Sequence, residues 1–363
     1  MGAQCASEYS NGSVFDSSGQ ILYQGCDRVN PAMCRDECGI RGERTKNIRN
    51  FIQSHDDGYE AAMPIPRFKV DFDRIGAVPT GWRLCSQPAP EGFLFAGGAA
   101  CIIEETSKPD LNKRVLLALP DSAVDLRRAR LLTRVGKAGR ILLQVRSASY
   151  SSMNDQVILE FDLPVGEPLD KFLQRHGNLT EDLAKYLCRD LLDFITGSTN
   201  MLMLGGMMDS SLVFLTKTGF LSTVVPLLCV LSPRGLKATA MSMVEQISSK
   251  GAKDLMSPEL KEATLGHGIP ISGKERCVTS DSYAVMALVL EALAGIEPKA
   301  LREVEPETQT GITAVPRTGS RHLLSTCAHD LFRKALYEDP AWRLCGQDAL
   351  GHPWLANTSC RKV

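Results

Sequence analysis

Residues 157–164 read Val-Ile-Leu-Glu-Phe-Asp-Leu-Pro, and they separate two halves of the chain that carry different apolar patterns. The half before this stretch has short apolar runs typical of strands, with helical spacing only at residues 121–135. The half after Pro164 has helical spacing. The boundary therefore predicts a strand-rich lobe followed by a mainly helical lobe. The predicted strands of the first lobe include Gly92–Glu104, Lys113–Leu119, Ile141–Val145 and Gln156–Phe161.

The second half contains clear helix signals. Thr180 precedes two acidic residues and then leucines at helical spacing, which is the pattern of a capped helix start. Residues Asp281–Leu293 are apolar on nearly every side, which predicts a helix that is buried all round. Leu323–Tyr337 and Gln347–Trp354 are the predicted closing helices, and the polar stretch Lys299–Arg321 before them is a predicted long loop.

The composition is that of a globular protein, with 44% hydrophobic and 23% charged residues in a chain of 363. A formal net charge of -1 provides no global basic field for nucleic acid or for an anionic membrane. The most apolar uncharged piece, Thr218–Pro233, is too short to span a bilayer, so we expect buried strands and no transmembrane segment. The predicted domains are an extension over 1–78, lobes over 79–161 and 162–358, and a tail over 359–363.

Cysteine is abundant: the chain has twelve, an even number, and N-x-Ser/Thr sequons occur at Asn11, Asn178 and Asn357. Together these features favour an oxidising, secreted environment over a reducing cytosol. Residues 1–20 lack the apolar core of a signal peptide, so we expect a leader to have been removed or never to have been present. Four cysteines of the extension are predicted to form disulfides, mostly among themselves, because their spacing lacks the paired knuckles of a zinc site. They are Cys5, Cys26, Cys34 and Cys38.

Four stretches resemble, in the same order, landmarks of the protein-kinase fold. Residues 157–164 with 169–173 resemble the kinase hinge and the helix after it, and Ser257-Pro258-Glu259 resembles the Ala-Pro-Glu motif that closes the activation segment. Residues 280–295 resemble the buried central helix of the C-lobe, and residues 339–354 resemble the C-terminal signature. The resemblance implies an α+β, bilobal kinase-like fold, with a five-stranded N-lobe that includes one helix, a mainly helical C-lobe and a cysteine-containing N-terminal extension.

The same resemblance assigns structural uses to four residues. Asp281, at the start of the buried helix, would accept hydrogen bonds from backbone N–H groups of a neighbouring loop. Glu259, which follows Pro258 in the closing motif, would form a buried ion pair with Arg343 and tie the activation segment to the base of the C-lobe. These residues would maintain the fold and take no part in chemistry.

The groups that phosphoryl transfer needs are missing from the first lobe. In place of a G-x-G-x-x-G loop, residues 95–101 read Phe-Ala-Gly-Gly-Ala-Ala-Cys, which predicts a tight hairpin. The position of the kinase lysine falls on Ala118, and no glutamate occurs between Glu105 and Glu160 to pair with such a lysine. The predicted helix there is basic, and we interpret its charges as a solvated face, with a phosphate-binding patch as the alternative. Its arginines are Arg127, Arg128, Arg130 and Arg134.

The second lobe lacks the corresponding groups as well. Alignment on the apolar run Leu212–Phe214 places Gly206 at the catalytic aspartate and Ser211 at the metal-binding asparagine. Asp209 lies three residues too late to act as the general base. Val225 occupies the position of the metal-binding aspartate. We therefore expect no cofactor, no metal site and no ATP–Mg²⁺ phosphoryl transfer.

The leading hypothesis is a catalytically inactive pseudokinase that binds or scaffolds other proteins and does not bind nucleic acid. Two alternatives keep the cleft in use: a non-standard nucleotide-dependent transferase, and a nucleotide sensor without turnover. The degenerate glycine loop and the cysteine-bearing extension resemble those of the secreted rhoptry-kinase family of apicomplexan parasites and of its relatives without a glycine loop. That resemblance implies export into the parasitophorous vacuole or the cyst wall.

Overall fold

The computed structural model shows two lobes, as the apolar patterns predict. A short antiparallel pair, β1 (Val14–Phe15) and β2 (Ile21–Tyr23), lies in the extension. The four cysteines that are predicted to form disulfides lie outside the described residues. No helix in the described part of the chain is long and apolar enough to cross a bilayer. The structure describes residues 14–15, 21–23, 72, 77–94, 96–109, 112–135, 141–152, 155–196, 204–250, 254–265, 278–303, 312–313 and 323–356.

The N-lobe is one five-stranded sheet with one α-helix. Its strands are β3 (Trp82–Leu84), β4 (Ala99–Glu105), β5 (Lys113–Pro120), β6 (Val145–Ser151) and β7 (Gln156–Asp162), and its helix is α1 (Leu126–Val135). The strands are antiparallel in the order β3-β4-β5-β7-β6, and α1 connects β5 to β6. This arrangement is the sheet with one interposed helix that the sequence predicts.

The C-lobe is mainly helical. After a short strand, β8 (Glu167–Pro168), come helices α2 (Leu169–His176) and α3 (Glu181–Thr196), strands β9 (Val213–Leu215) and β10 (Leu221–Val224), and helices α4 (Leu227–Val230), α5 (Pro233–Lys250), α6 (Pro258–Thr264), α7 (Val278–Ala294) and α8 (Pro298–Glu303). The last elements are β11 (Ile312–Thr313), β12 (Leu323–Leu324), α9 (Thr326–Ala335), α10 (Gly346–Leu350) and α11 (Pro353–Ala356).

Two helices show why these sequences fold as predicted. Helix α3 begins one residue after Thr180, whose Oγ1 accepts a hydrogen bond from the backbone N–H of Leu183 at 3.4 Å. Helix α7 is buried at every residue from Thr279 to Ala294, as its all-round apolar sequence predicts. One cluster of buried apolar side chains runs through both lobes, with α7 near its centre in the C-lobe. The lobes therefore share a core.

Several predicted boundaries are wrong. The predicted strand Gly92–Glu104 is a 3-10 helix at Glu91–Leu94 followed by β4, because Gly97 adopts a φ of 75° and breaks the strand. The predicted strand Ile141–Val145 is displaced, and β6 begins where that prediction ends. Part of the predicted loop Lys299–Arg321 is ordered as α8 and β11.

Helix α5 is absent from the sequence-based prediction, although its start signal is present. Ser232 precedes Pro233, and a proline is favoured at the first position of a helix. The Ser232 Oγ accepts a hydrogen bond from the Gly235 N–H at 3.1 Å and donates one to the Ser122 carbonyl at 2.7 Å. The start of α5 is thus fixed by a side-chain cap and by a contact with the N-lobe.

Candidate functional site

The candidate site is the cleft between the lobes, and Asp281 fixes its register. The Asp281 carboxylate accepts hydrogen bonds from the backbone N–H groups of Leu204 and Gly206, each at 2.7 Å. The side chain is buried at the start of α7, where the helix N-terminus favours negative charge. This is the contact that the sequence predicts for Asp281, and it places residues 204–206 at the position of the kinase catalytic loop.

Gly206, which the sequence comparison with kinase motifs aligns with the catalytic aspartate, has no room for a side chain. Its φ is 80°, and a Cβ added there would lie 2.6 Å from the Oγ of Ser257 and 3.1 Å from the Cβ of Ser280. The backbone conformation and the neighbouring side chains therefore both require glycine. A general base at this position would need the surrounding loop to move.

Asp209 is held by its own loop. Its carboxylate accepts hydrogen bonds from the backbone N–H and the hydroxyl of Ser211, and it caps the 3-10 helix Ser210–Leu212. Burial raises the pKa of Asp209; the hydrogen bonds from Ser211 oppose that rise, and the nearby carboxylates of Asp170 and Glu91 add to it. The carboxylate of Asp209 is therefore engaged with its own loop and lies close to two other acidic side chains.

The chain segment Glu91–Leu94 is here called the plug, and its Gly92 and Phe93 are buried. It belongs to the connection between β3 and β4, the position of the kinase glycine loop. Phe93 is fully buried, and its ring contacts that of Phe161 edge to face, with centroids 5.2 Å apart. On the other side, a Cβ added to Gly92 would lie 2.2 Å from the carbonyl oxygen of Ser211. The plug thus touches the hinge strand β7 and the catalytic-loop region at once.

The close approach of Gly92 gives a prediction. Gly92→Ala is expected to destabilise the protein by about 1–3 kcal/mol, because the added methyl group meets a backbone carbonyl that cannot rotate away. The matched control is Gly351→Ala, where a Cβ would have only ordinary contacts at 3.6 Å and 3.7 Å. Urea unfolding measures both variants, and equal midpoints for the two would show that the plug does not press on Ser211.

The register of β5 corrects one prediction. Ala118 is buried among Phe72, Ile103, Leu116 and Ile158 on one face of the sheet. Leu117 and the other odd-numbered residues of the strand, Val115 and Leu119, belong to the interlobe core on the other face. Successive side chains of a strand point to opposite faces. The position that faces the cleft is therefore Leu117 or Leu119, and the predicted assignment of Ala118 is wrong by one residue.

Leu117 and Leu119 are apolar, as Ala118 is, so the strand still presents no charged side chain to the cleft at this position. A Cβ added to Gly98 would lie 2.8 Å from the Cδ1 of Leu117 and 2.7 Å from the Cδ2 of Leu119, so the strand and the turn before β4 pack without a gap. Both leucines are fully buried. A lysine side chain in this place would need a partner charge, and α1 offers no glutamate.

Val225 lies in the interlobe core. It is 1% exposed, and its backbone N–H donates a hydrogen bond to the Leu212 carbonyl at 2.8 Å. The preceding Val224 is paired through its backbone with Ile141 and Leu143 of the N-lobe. Among the residues that the structure describes, no group of histidine, cysteine and acidic side chains has a geometry that could hold a metal ion.

The predicted structural residues of the C-lobe lie together below the cleft. Pro258 is the first residue of α6, and Glu259 follows it. The Arg343 guanidinium donates to both carboxylate oxygens of Glu259, from Nη1 at 2.8 Å and from Nη2 at 3.1 Å. The Ser280 hydroxyl also donates to Glu259, which links the pair to α7.

Known proteins share this fold at low sequence identity. The chain matches no protein-family model and no curated protein. Among solved structures, the crystal structure of Rad53 1-466 in complex with AMP-PNP aligns with a TM-score of 0.51 and 15% identity, over 76% of this chain. The aligned region spans 65% of the Rad53 chain. Since Rad53 is a protein kinase, this likeness shows that the chain has the bilobal kinase-like fold.

Proposed function

We propose that this chain is a catalytically inactive pseudokinase that acts by binding other proteins. The observation that carries the proposal is the plug, because Gly92 and Phe93 bridge the lobes where a nucleotide would lie in a kinase. The residues that would position phosphates and metal are replaced by glycine, serine and apolar side chains at Gly206, Ser211 and Val225. Phosphoryl transfer depends on positioning and on charge neutralisation, and these replacements supply neither.

The first test is nucleotide binding. A ligand present at 100 times its dissociation constant stabilises a protein by about 2.7 kcal/mol, which raises the melting temperature measurably. We expect no rise with millimolar ATP and Mg²⁺, compared with Mg²⁺ alone. A rise that requires Mg²⁺ would contradict the proposal. A rise with ATP that persists in EDTA would instead favour the nucleotide-sensor alternative.

The proposal extends to location and to the binding surfaces. We propose secretion, in keeping with the twelve cysteines and three sequons, and export to a parasitophorous vacuole or cyst wall in line with the resemblance to rhoptry kinases. The extension over 1–78 and the segment 302–318 add surface that a minimal kinase fold does not need. Both segments lie largely outside the described residues.

A further inference from the structure

Helix α1 carries a row of exposed positive charge that the fold does not use. Arg127, Arg130 and Arg134, here called the arginine row, follow each other at spacings of three and four residues, so they lie along one side of the helix. All three are exposed. In the described part of the chain none of them has an ion-pair partner, whereas the Nε of Arg128 lies 3.5 Å from the Oδ2 of Asp125.

The elements packed against α1 do not neutralise the arginine row. Helix α1 contacts β6 and α4. Neither element contains an acidic residue: β6 reads Val-Arg-Ser-Ala-Ser-Tyr-Ser and α4 reads Leu-Leu-Cys-Val. The one charged side chain they contribute, Arg146, is positive and is paired with Asp162 of β7. Among the residues that the structure describes, these neighbouring elements therefore place no acidic side chain against the row.

Helix stability does not account for the row. Arg127 stands in the first turn, where the helix dipole disfavours a positive charge. Like charges separated by three or four residues also destabilise a helix. The packing of α1 is provided by other positions, among them the buried Ala129 and Leu132. Only Arg134, in the last turn, has a charge that the helix dipole favours. Since the dipole does not account for Arg127 or Arg130, and all three side chains are exposed, the arrangement points to a ligand.

We propose that the arginine row docks an acidic segment of a partner protein. Its three guanidinium groups span about 10 Å of helix axis, which matches carboxylates at helical spacing on an adjoining segment. Guanidinium pairs with carboxylate through two parallel hydrogen bonds. Nucleic acid and anionic membranes are bound through broader basic surfaces, and the chain as a whole has a net charge of -1. An acidic segment is thus the kind of partner that the protein-binding function proposed above would use, and this inference rests on that function.

The test uses the full chain and a fluorescent oligoglutamate peptide, with binding followed by fluorescence anisotropy at low and at physiological salt. The parent is expected to bind, with an affinity that falls as salt rises. The variant R127Q/R130Q/R134Q is expected to bind about tenfold more weakly, because it loses the binding free energy of three exposed charge pairs. Glutamine has a helix propensity close to that of arginine, so the variant should melt at the parent's temperature.

The control variant, R83Q/R146Q/R175Q, changes the net charge equally at exposed arginines that already pair with acids of this chain. It is expected to bind the peptide as the parent does. Equal loss in both variants would attribute binding to net charge and overturn the proposal. Absence of peptide binding by the parent, or tighter binding to phosphatidylserine vesicles or to a DNA duplex, would overturn it too. No nucleotide is involved, so the result is separate from that of the ATP test.

Discussion

Arg343→Ala is expected to lower the free energy of unfolding by about 3–5 kcal/mol, because it leaves buried acceptors without a donor. The Arg343 side chain is fully buried, while that of Glu259 is 31% exposed. Besides its two hydrogen bonds to Glu259, the guanidinium donates to the backbone carbonyls of Tyr337 and Glu338, each at 2.9 Å, and to that of Thr279 at 3.2 Å. One side chain thus joins α6, α7 and the turn after α9.

The control for this prediction is Arg146→Ala. Arg146 also makes a two-pronged pair, with Asp162 at 2.7 Å and 2.9 Å, but its side chain is 40% exposed and that of Asp162 is 33% exposed. We expect the free energy of unfolding of this variant to fall by less than about 1 kcal/mol, since water can solvate Asp162 in place of the lost guanidinium. Urea unfolding of both variants gives the comparison. If Arg343→Ala unfolds at the midpoint of Arg146→Ala, the buried pair does not hold the C-lobe together.

The pair also predicts a dependence on pH. Burial opposes ionisation of Glu259, but the hydrogen bonds and the charge of Arg343 outweigh it and hold the pKa of Glu259 below its usual value of 4.5. A lowered pKa in the folded state contributes stability above pH 4.5 that is lost as the pH falls through the folded pKa. The free energy of unfolding that Arg343→Ala loses relative to the parent should therefore be smallest in strong acid and largest near neutrality.

The sequence predicts the landmark contacts of the C-lobe well, although it misses helix α5, because those landmarks are local. Asp281, Pro258, Glu259 and Arg343 lie in short motifs whose order can be read without knowing any distance, and their contacts follow from that order. The buried helix α7 is likewise predicted by its own composition. In each case the signal and the structure occupy the same stretch of chain.

The cleft is less predictable, because its closure depends on contacts between distant segments. Nothing in the local sequence indicates that Gly92 lies against the carbonyl of Ser211, more than a hundred residues away. The sequence does not fix the register of β5 for a similar reason. The strand is apolar on both faces over Val115–Leu119, so the alternation of side chains does not show which face lies toward α1. Phe72, outside the N-lobe strands, provides the second apolar environment.

Phe93→Ala is expected to lower the free energy of unfolding by about 3–5 kcal/mol, because it removes a fully buried ring and leaves a cavity between the lobes. The variant also loses the edge-to-face contact with Phe161. Leu94→Ala is the matched control, since Leu94 is the next residue of the plug and is 38% exposed. An exposed position away from such contacts usually changes stability by less than about 0.5 kcal/mol.

The cavity itself can be tested with a ligand that has no phosphate. An apolar cavity of this kind binds small aromatic molecules such as benzene, so benzene should raise the melting temperature of Phe93→Ala and leave the parent and Leu94→Ala unchanged. ATP with Mg²⁺ should not stabilise Phe93→Ala, because Gly206 and Val225 still supply no charge to the phosphates or the metal. Equal urea midpoints for Phe93→Ala and Leu94→Ala, with no response to benzene, would show that Phe93 does not fill the cleft. Stabilisation by ATP with Mg²⁺ would mean that the plug alone keeps nucleotide out, and that the missing charges are not what prevents binding.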